Sequence, residues 1–140
     1  MPRLRADIVA VVFAGGCLGG AARYWATSTH PGGAFPWSTL AVNLVGAFVL
    51  ALVVVIASEL VSSRYLRPLV GTGFCGALTT FSSVVVSADR LFAHHRAATA
   101  VGYLVATLVG GLAAAALGLV TGRALASGRR RDRVSGRSAS

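Results

Sequence analysis

Four apolar segments, residues 8–26, 38–57, 67–87 and 97–126, follow one another with only about ten residues between them. Each reaches the roughly 20 residues that a helix needs to cross the hydrocarbon core of a bilayer. In that core every backbone N–H and C=O must find its partner within the protein, so the segments are predicted to be helical. Of the 140 residues, 55% are hydrophobic and 12% charged, whereas a soluble domain carries about a quarter charged. The expected fold is therefore all-α, with four transmembrane helices. The first segment lacks a clean small-residue cleavage site and leads straight into further spans, so it reads as a span and not as a signal peptide. Spans and short loops leave no room for a soluble catalytic domain, and no enzyme is expected. Four helices enclose little space, so a pore or site is expected to need a second subunit. Cys17 and Cys75 fall within predicted spans, where they read as small apolar side chains without a disulfide.

All of the positive charge is arginine; there is no lysine, and the net charge is +9. Residues 1–127 form the four-span unit, and the segment 128–140, "GRRRDRVSGRSAS", reads as a disordered basic cytoplasmic tail that contacts anionic lipid headgroups and not nucleic acid. Four spans put both termini on one side. That side collects ten arginines and the other three, Arg23, Arg90 and Arg96, which predicts cytoplasmic termini. Without the arginines from Arg123 onward the balance is four against three, so the tail decides the orientation.

Small residues recur at four-residue spacing. Gly15 pairs with Gly19 and Gly16 with Gly20, and the fourth span carries Gly102, Ala106, Gly110, Ala114, Gly118 and Gly122. Such stripes let helix backbones approach closely in lipid and predict a tight bundle.

No acidic residue lies within a span: Asp7, Glu59, Asp89 and Asp132 sit at ends or in loops. A proton-coupled exporter ordinarily needs an ionisable group at membrane depth. What the spans contain instead are neutral donors, Thr39, Asn43, Thr79, Thr80, Ser82, Ser83, Tyr103 and Thr107. Hydroxyls and an amide NH2 can replace part of an anion's hydration shell without repelling it. Thr39, Asn43 and Gly46 share one helical face; an asparagine there is either interhelical glue or a ligand group. Tyr103 and Thr107 repeat the polar pattern at i, i+4. Arg23 is either an attractor for anions or an interfacial snorkelling anchor. Phe81 offers a ring edge of partial positive charge. His30, His94 and His95 lie between spans without metal-ligand spacing.

The stretch "GTGFCGALTTFSSV", residues 71–84, concentrates helix-weakening residues inside the third span. Glycine costs a helix about 1 kcal/mol, and serine and threonine hydroxyls compete for backbone groups. A break in the middle of the third span is predicted. Freed carbonyls at membrane depth suit a small hard cation, as in transporters built on discontinuous helices.

Three motifs, "GGCLGGAARYW" (15–25), "STLAVNLVGAF" (38–48) and "GFCGALTTFSS" (73–83), resemble in order and spacing those of the Fluc/CrcB fluoride channels. The resemblance covers roughly residues 8–125. It implies an antiparallel dimer with fluoride-selective pores and a structural sodium ion at the dimer centre, held by the backbone carbonyls of Gly76 and Thr79. It makes Asn43 the pore asparagine and Phe81 a pore phenylalanine, with Thr39, Tyr103 and Thr107 along a polar track and Arg23 in the vestibule. Two positions depart from the family pattern: a second phenylalanine is replaced by Val84, and a polar residue by Gly111. Incomplete pore groups and an orientation biased by the tail favour a heterodimer with an oppositely oriented homologue over a homodimer. A small proton-coupled dual-topology multidrug exporter and a non-conducting partner subunit are the alternatives.

Overall fold

The computed structural model describes residues 5–28, 35–61 and 63–137, with side chains described as far as residue 128. Helix α1 spans Ala6–Ser28 and α2 spans Trp37–Glu59. A π-helical segment, Arg67–Cys75, runs directly into a single α-turn, α3 (Gly76–Leu78). Helix α4 covers Phe81–Ala93 and α5 covers Ala97–Arg137. Four helical stretches are long and apolar enough to cross a membrane, Ala6–Ser28, Trp37–Glu59, Arg67–Ala93 and Ala97–Gly128. The chain is a multi-pass, all-helical membrane protein.

Packing follows the small residues. Helix α1 lies against the π-helical segment so closely that a Cβ on Gly19 would overlap Phe74 O, and one on Gly73 would stand 2.6 Å from Val12 O. Only bare backbones fit there. Along the other seam α5 packs on α2, where Gly118 sits against Phe48 O and Gly122 against the Val55 side chain. The predicted stripes are thus half used inside the protomer. Gly15 and Gly19 pack, while Gly16, Gly20 and Gly102 have no neighbour within 4 Å of a built Cβ.

A second, side-chain core joins α2, α4 and α5. Leu40, Val84, Ala88, Leu91, Ala100 and Tyr103 are buried together, with Phe35 and Leu44 against them. The Phe35 ring meets the Tyr103 ring edge-on, centroids 5.5 Å apart, a favoured aromatic geometry. At the opposite end, Arg64 reaches Asp7 in an ion pair. The Tyr65 hydroxyl donates to the same carboxylate at 3.1 Å, and the Arg64 guanidinium lies 4.6 Å from the Tyr65 ring centroid. This exposed cluster ties the start of α1 to the connection after α2.

Two findings differ from the sequence expectation. The third span opens with π-helical turns, in which Gly76 N–H reaches Gly71 O five residues back. The fourth span does not stop at residue 126: helical backbone continues to Arg137, through the segment expected to be a disordered tail. Its arginines are strong helix formers, no proline intervenes, and extending an existing helix avoids the cost of nucleation.

Gly19→Ala should force the α1 seam apart and destabilise the protein by about 1–3 kcal/mol, the usual cost of overpacking. Gly16→Ala, which meets nothing inside the protomer, should cost nothing. Chemical unfolding in detergent, followed by circular dichroism, checks both.

Candidate functional site

Between α3 and α4 the backbone leaves the helix for two residues. Thr79 has φ −79° and ψ 150°, and Thr80 has φ −151° and ψ 118°, both extended. The predicted hydroxyl-rich stretch is the source of the local chemistry. Thr79 Oγ1 donates back to Cys75 O at 2.9 Å. Thr80 caps α4, its Oγ1 accepting the Ser83 N–H at 3.2 Å; a threonine cap of this kind stabilises by about 1 kcal/mol.

Asn43 holds the interruption in place. Its Oδ1 accepts the Thr80 N–H at 2.8 Å and its Nδ2 donates to Thr80 O at 3.1 Å. One side-chain amide therefore satisfies both polar groups of one peptide-chain residue, as a neighbouring strand would. One turn along α2, Gly46 receives the Thr79 methyl group; any Cβ there would overlap it. The face shared by Thr39, Asn43 and Gly46 is thus the seat of the two extended threonines, and of the two readings for Asn43 the structure displays interhelical attachment.

The same hydrogen bonds bear on a cation site. In an unbroken helix the Thr80 N–H would bond Gly76 O, and the Ser83 N–H would bond Thr79 O. Here they go to Asn43 and to the Thr80 hydroxyl, which deprives the Gly76 and Thr79 carbonyls of those helical donors. Gly76 is exposed on the protomer and a Cβ on it would meet nothing within 4 Å. Two such carbonyls from an open backbone are oxygen ligands of the kind that fit a small hard cation. Among the described residues no group of three His, Cys, Asp or Glu side chains offers another metal site; His30 lies outside the described residues.

Above the interruption opens a cavity of about 420 Å³. Arg23 and Arg90 line it with Thr39, Thr80, Ser83 and Ser87, and Val86 is its one apolar lining residue. Arg23 and four of the neutral donors read from the sequence, Thr39, Thr80, Ser82 and Ser83, meet here. Phe81 and Thr107 do not. They line a separate groove of about 450 Å³, with Val84, Leu104, Leu108 and Gly111 as apolar or bare neighbours. Phe81 is 81% exposed, and Thr107 Oγ1 donates to Tyr103 O at 2.8 Å. Tyr103 is completely buried. Its hydroxyl, which neighbours Ser87 and Thr107, makes no hydrogen bond of ordinary geometry among the described residues. It stands between the cavity that Ser87 lines and the groove that Thr107 lines.

A family model described as CrcB-like protein, Camphor Resistance (CrcB), matches residues 10–119, the greater part of the chain. The chain belongs to the CrcB family. A fluoride-specific ion channel FluC 3 of Streptomyces avermitilis is 48% identical over 101 residues, covering 70% of this chain and 50% of that protein. FluC 1 of Streptomyces coelicolor is 44% identical over 110 residues, 74% of this chain and 70% of the relative. FluC 1 of Mycolicibacterium paratuberculosis is 44% identical over 98 residues, 68% and 74% of the two chains.

In this CrcB-family chain the two positions that the sequence reading singled out as departures, Val84 and Gly111, line the same groove. Val84 is also 3% exposed and packs in the α2–α4–α5 core. Sequence reasoning missed Ser87 and Arg90 as site residues. The signal was there: Ser83, Ser87 and Arg90 recur at i, i+4 and i+7, one face of a helix.

Asn43→Ala should leave the Thr80 N–H without its partner and cost about 1–3 kcal/mol of stability. At a pH where its carboxyl is neutral, Asn43→Asp keeps an acceptor oxygen and an O–H donor in altered geometry, so its loss should fall between those of Ala and wild type. Unfolding curves of the purified variants in one detergent measure the order.

Proposed function

We propose that this chain is a subunit of a fluoride-selective channel in the cell membrane, which lets fluoride leave passively and so lowers its cytoplasmic concentration. A channel transforms no substrate, and the chain is not an enzyme. The observation that carries the reading is the Asn43–Thr80 pair beside a cavity lined by two arginines and a run of hydroxyls. The relatives named as fluoride-specific ion channels support it.

The chemistry is that of desolvation. Fluoride is small and strongly hydrated, and it gives up water only where donors replace it. Arg23 draws the anion into the cavity, and Thr39, the free N–H of the Asn43 amide and the hydroxyls around Thr80 supply donors without a carboxylate. The Phe81 ring edge and the Tyr103–Thr107 track continue the path. The acids of the described spans, Asp7, Glu59 and Asp89, lie toward helix ends, which leaves a proton-coupled exporter without a group to protonate at depth.

Assembly follows from the open backbone. The interruption between α3 and α4 sits at mid-membrane, where the Gly76 and Thr79 carbonyls of two oppositely oriented subunits hold one structural sodium ion; both termini face the cytoplasm in the majority orientation. A heterodimer with an opposed homologue is favoured by one specific observation: Val84 and Gly111 together leave the Phe81 groove short of an aromatic edge and a polar group. In such a pair this chain has either one working pore or the role of a non-conducting partner.

Liposomes loaded with fluoride test the reading, with chloride as control. The expected result is selective fluoride efflux from this chain with a homologous partner and little from this chain alone. Efflux from the chain alone at full rate would make it a homodimer, and chloride flux equal to fluoride flux in both preparations would overturn the channel reading. In the conducting assembly Asn43→Ala should slow efflux by about 10–100-fold, the equivalent of one lost charge-assisted donor. Replacing sodium by N-methylglucamine should lower the thermal unfolding midpoint of the assembly; an unchanged midpoint would remove the sodium ion from the proposal.

A further inference from the structure

We infer that Arg90 and Ser87 of α4 form a second wall of the anion-gathering mouth, opposite Arg23, and that capture depends on the arginine pair and not on Arg23 alone. The inference rests on the channel reading above and extends it to residues outside the motifs that carried the family resemblance.

Helix α4 carries two stripes one residue apart. Val84, Ala88 and Leu91 are buried in the side-chain core. Ser83, Ser87 and Arg90, at the same spacing one residue earlier, line the cavity. Burial of the first stripe therefore fixes the direction of the second, because both turn with one rigid helix. Arg23 of α1 and Thr39 of α2 line the same cavity.

The charge of this mouth is uncompensated. No carboxylate lines the cavity; Asp89, next to Arg90 in the chain, is not among its lining residues. Neither Arg23 nor Arg90 has an ion-pair partner among the described residues, whereas Arg64 is paired with Asp7 and Arg67 donates to Val54 O at 3.2 Å. Two unpaired guanidiniums over a cleft with low-dielectric walls focus their field into it and raise the local concentration of anions. Ser87 adds a route inward. It neighbours the Tyr103 hydroxyl, which is fully buried without a partner of ordinary geometry. A hydroxyl buried beside Ser87 and Thr107 can turn its donor to an acceptor that arrives from the cavity. A small monovalent anion suits both ends of that route.

A guanidinium at the end of a helix can also be a mere surface anchor, and salt separates the two roles. Fluoride efflux is measured from liposomes holding the conducting assembly, at about 10 mM and about 0.5 M ionic strength, where the Debye length falls from ~30 Å to below ~8 Å. Arg90→Gln should slow efflux about three- to tenfold at low ionic strength and less than about twofold at high. Arg90→Lys should retain most of the flux, and Arg23→Gln with Arg90→Gln should be slower than either alone. Ser87→Ala should slow efflux at both ionic strengths. Wild-type rates for Arg90→Gln at low salt, or for Ser87→Ala at both, would overturn the inference. If wild-type protein passes no fluoride with any partner, the channel reading fails by itself. The 19F line width of fluoride titrated with detergent-solubilised protein then decides the present point. Broadening lost in Arg90→Gln supports the pair, and broadening equal to wild type overturns it.

Discussion

The two hydrogen bonds between the Asn43 side chain and the Thr80 backbone are the constraint on which the rest of the molecule depends. A helix that breaks among apolar neighbours strands peptide groups, and each stranded group costs on the order of 1–3 kcal/mol. One amide, carrying a donor and an acceptor a fixed distance apart, removes that cost at Thr80 and fastens α2 to the start of α4. Gly46 fixes Thr79 beside it. The Thr80 hydroxyl then caps α4. The position of α2 thereby sets the direction in which α4 sets out, and with it the turn that sends Val84, Ala88 and Leu91 inward and Ser83, Ser87 and Arg90 toward the cavity.

Much of this was legible in the sequence, and the reasons are specific. The four spans follow from length and apolarity alone, since lipid leaves the backbone no alternative to a helix. Asn43 and the threonines stood out because polar side chains are conspicuous in an apolar run. What the sequence could not supply was their partner: whether an asparagine meets another helix or a ligand depends on which backbone lies opposite, here 37 positions away. Arg90 and Ser87 are hidden in the sequence for a different reason. In a short amphipathic helix at the edge of a span, serine and arginine look like ordinary solvent-facing residues, and only the burial of the neighbouring stripe tells which way they point. The π-helical opening of the third span was also hidden, because a five-residue spacing between Gly71 and Gly76 has no distinctive composition.

The division of the polar groups has a physical logic. The cavity gathers guanidiniums and hydroxyls, while the groove beside Phe81 is apolar apart from Thr107. Between them lies a single aromatic side chain, Tyr103, held by Phe35 on one face of the core.

The unbroken course of α5 changes what its arginines can reach. A loose basic tail could fold back and lay every guanidinium among lipid headgroups. A helix that rises about 1.5 Å per residue behaves as a mast. Along the helix the backbone of residues 129–131 lies within about 5 Å of Gly128, less than one Debye length of about 8 Å at physiological salt. Arg137, nine residues on, is carried some 13 Å away. Positions adjacent in the sequence are therefore spaced by a fixed rise along the mast, and a basic segment held as helix has a length that a loose one lacks.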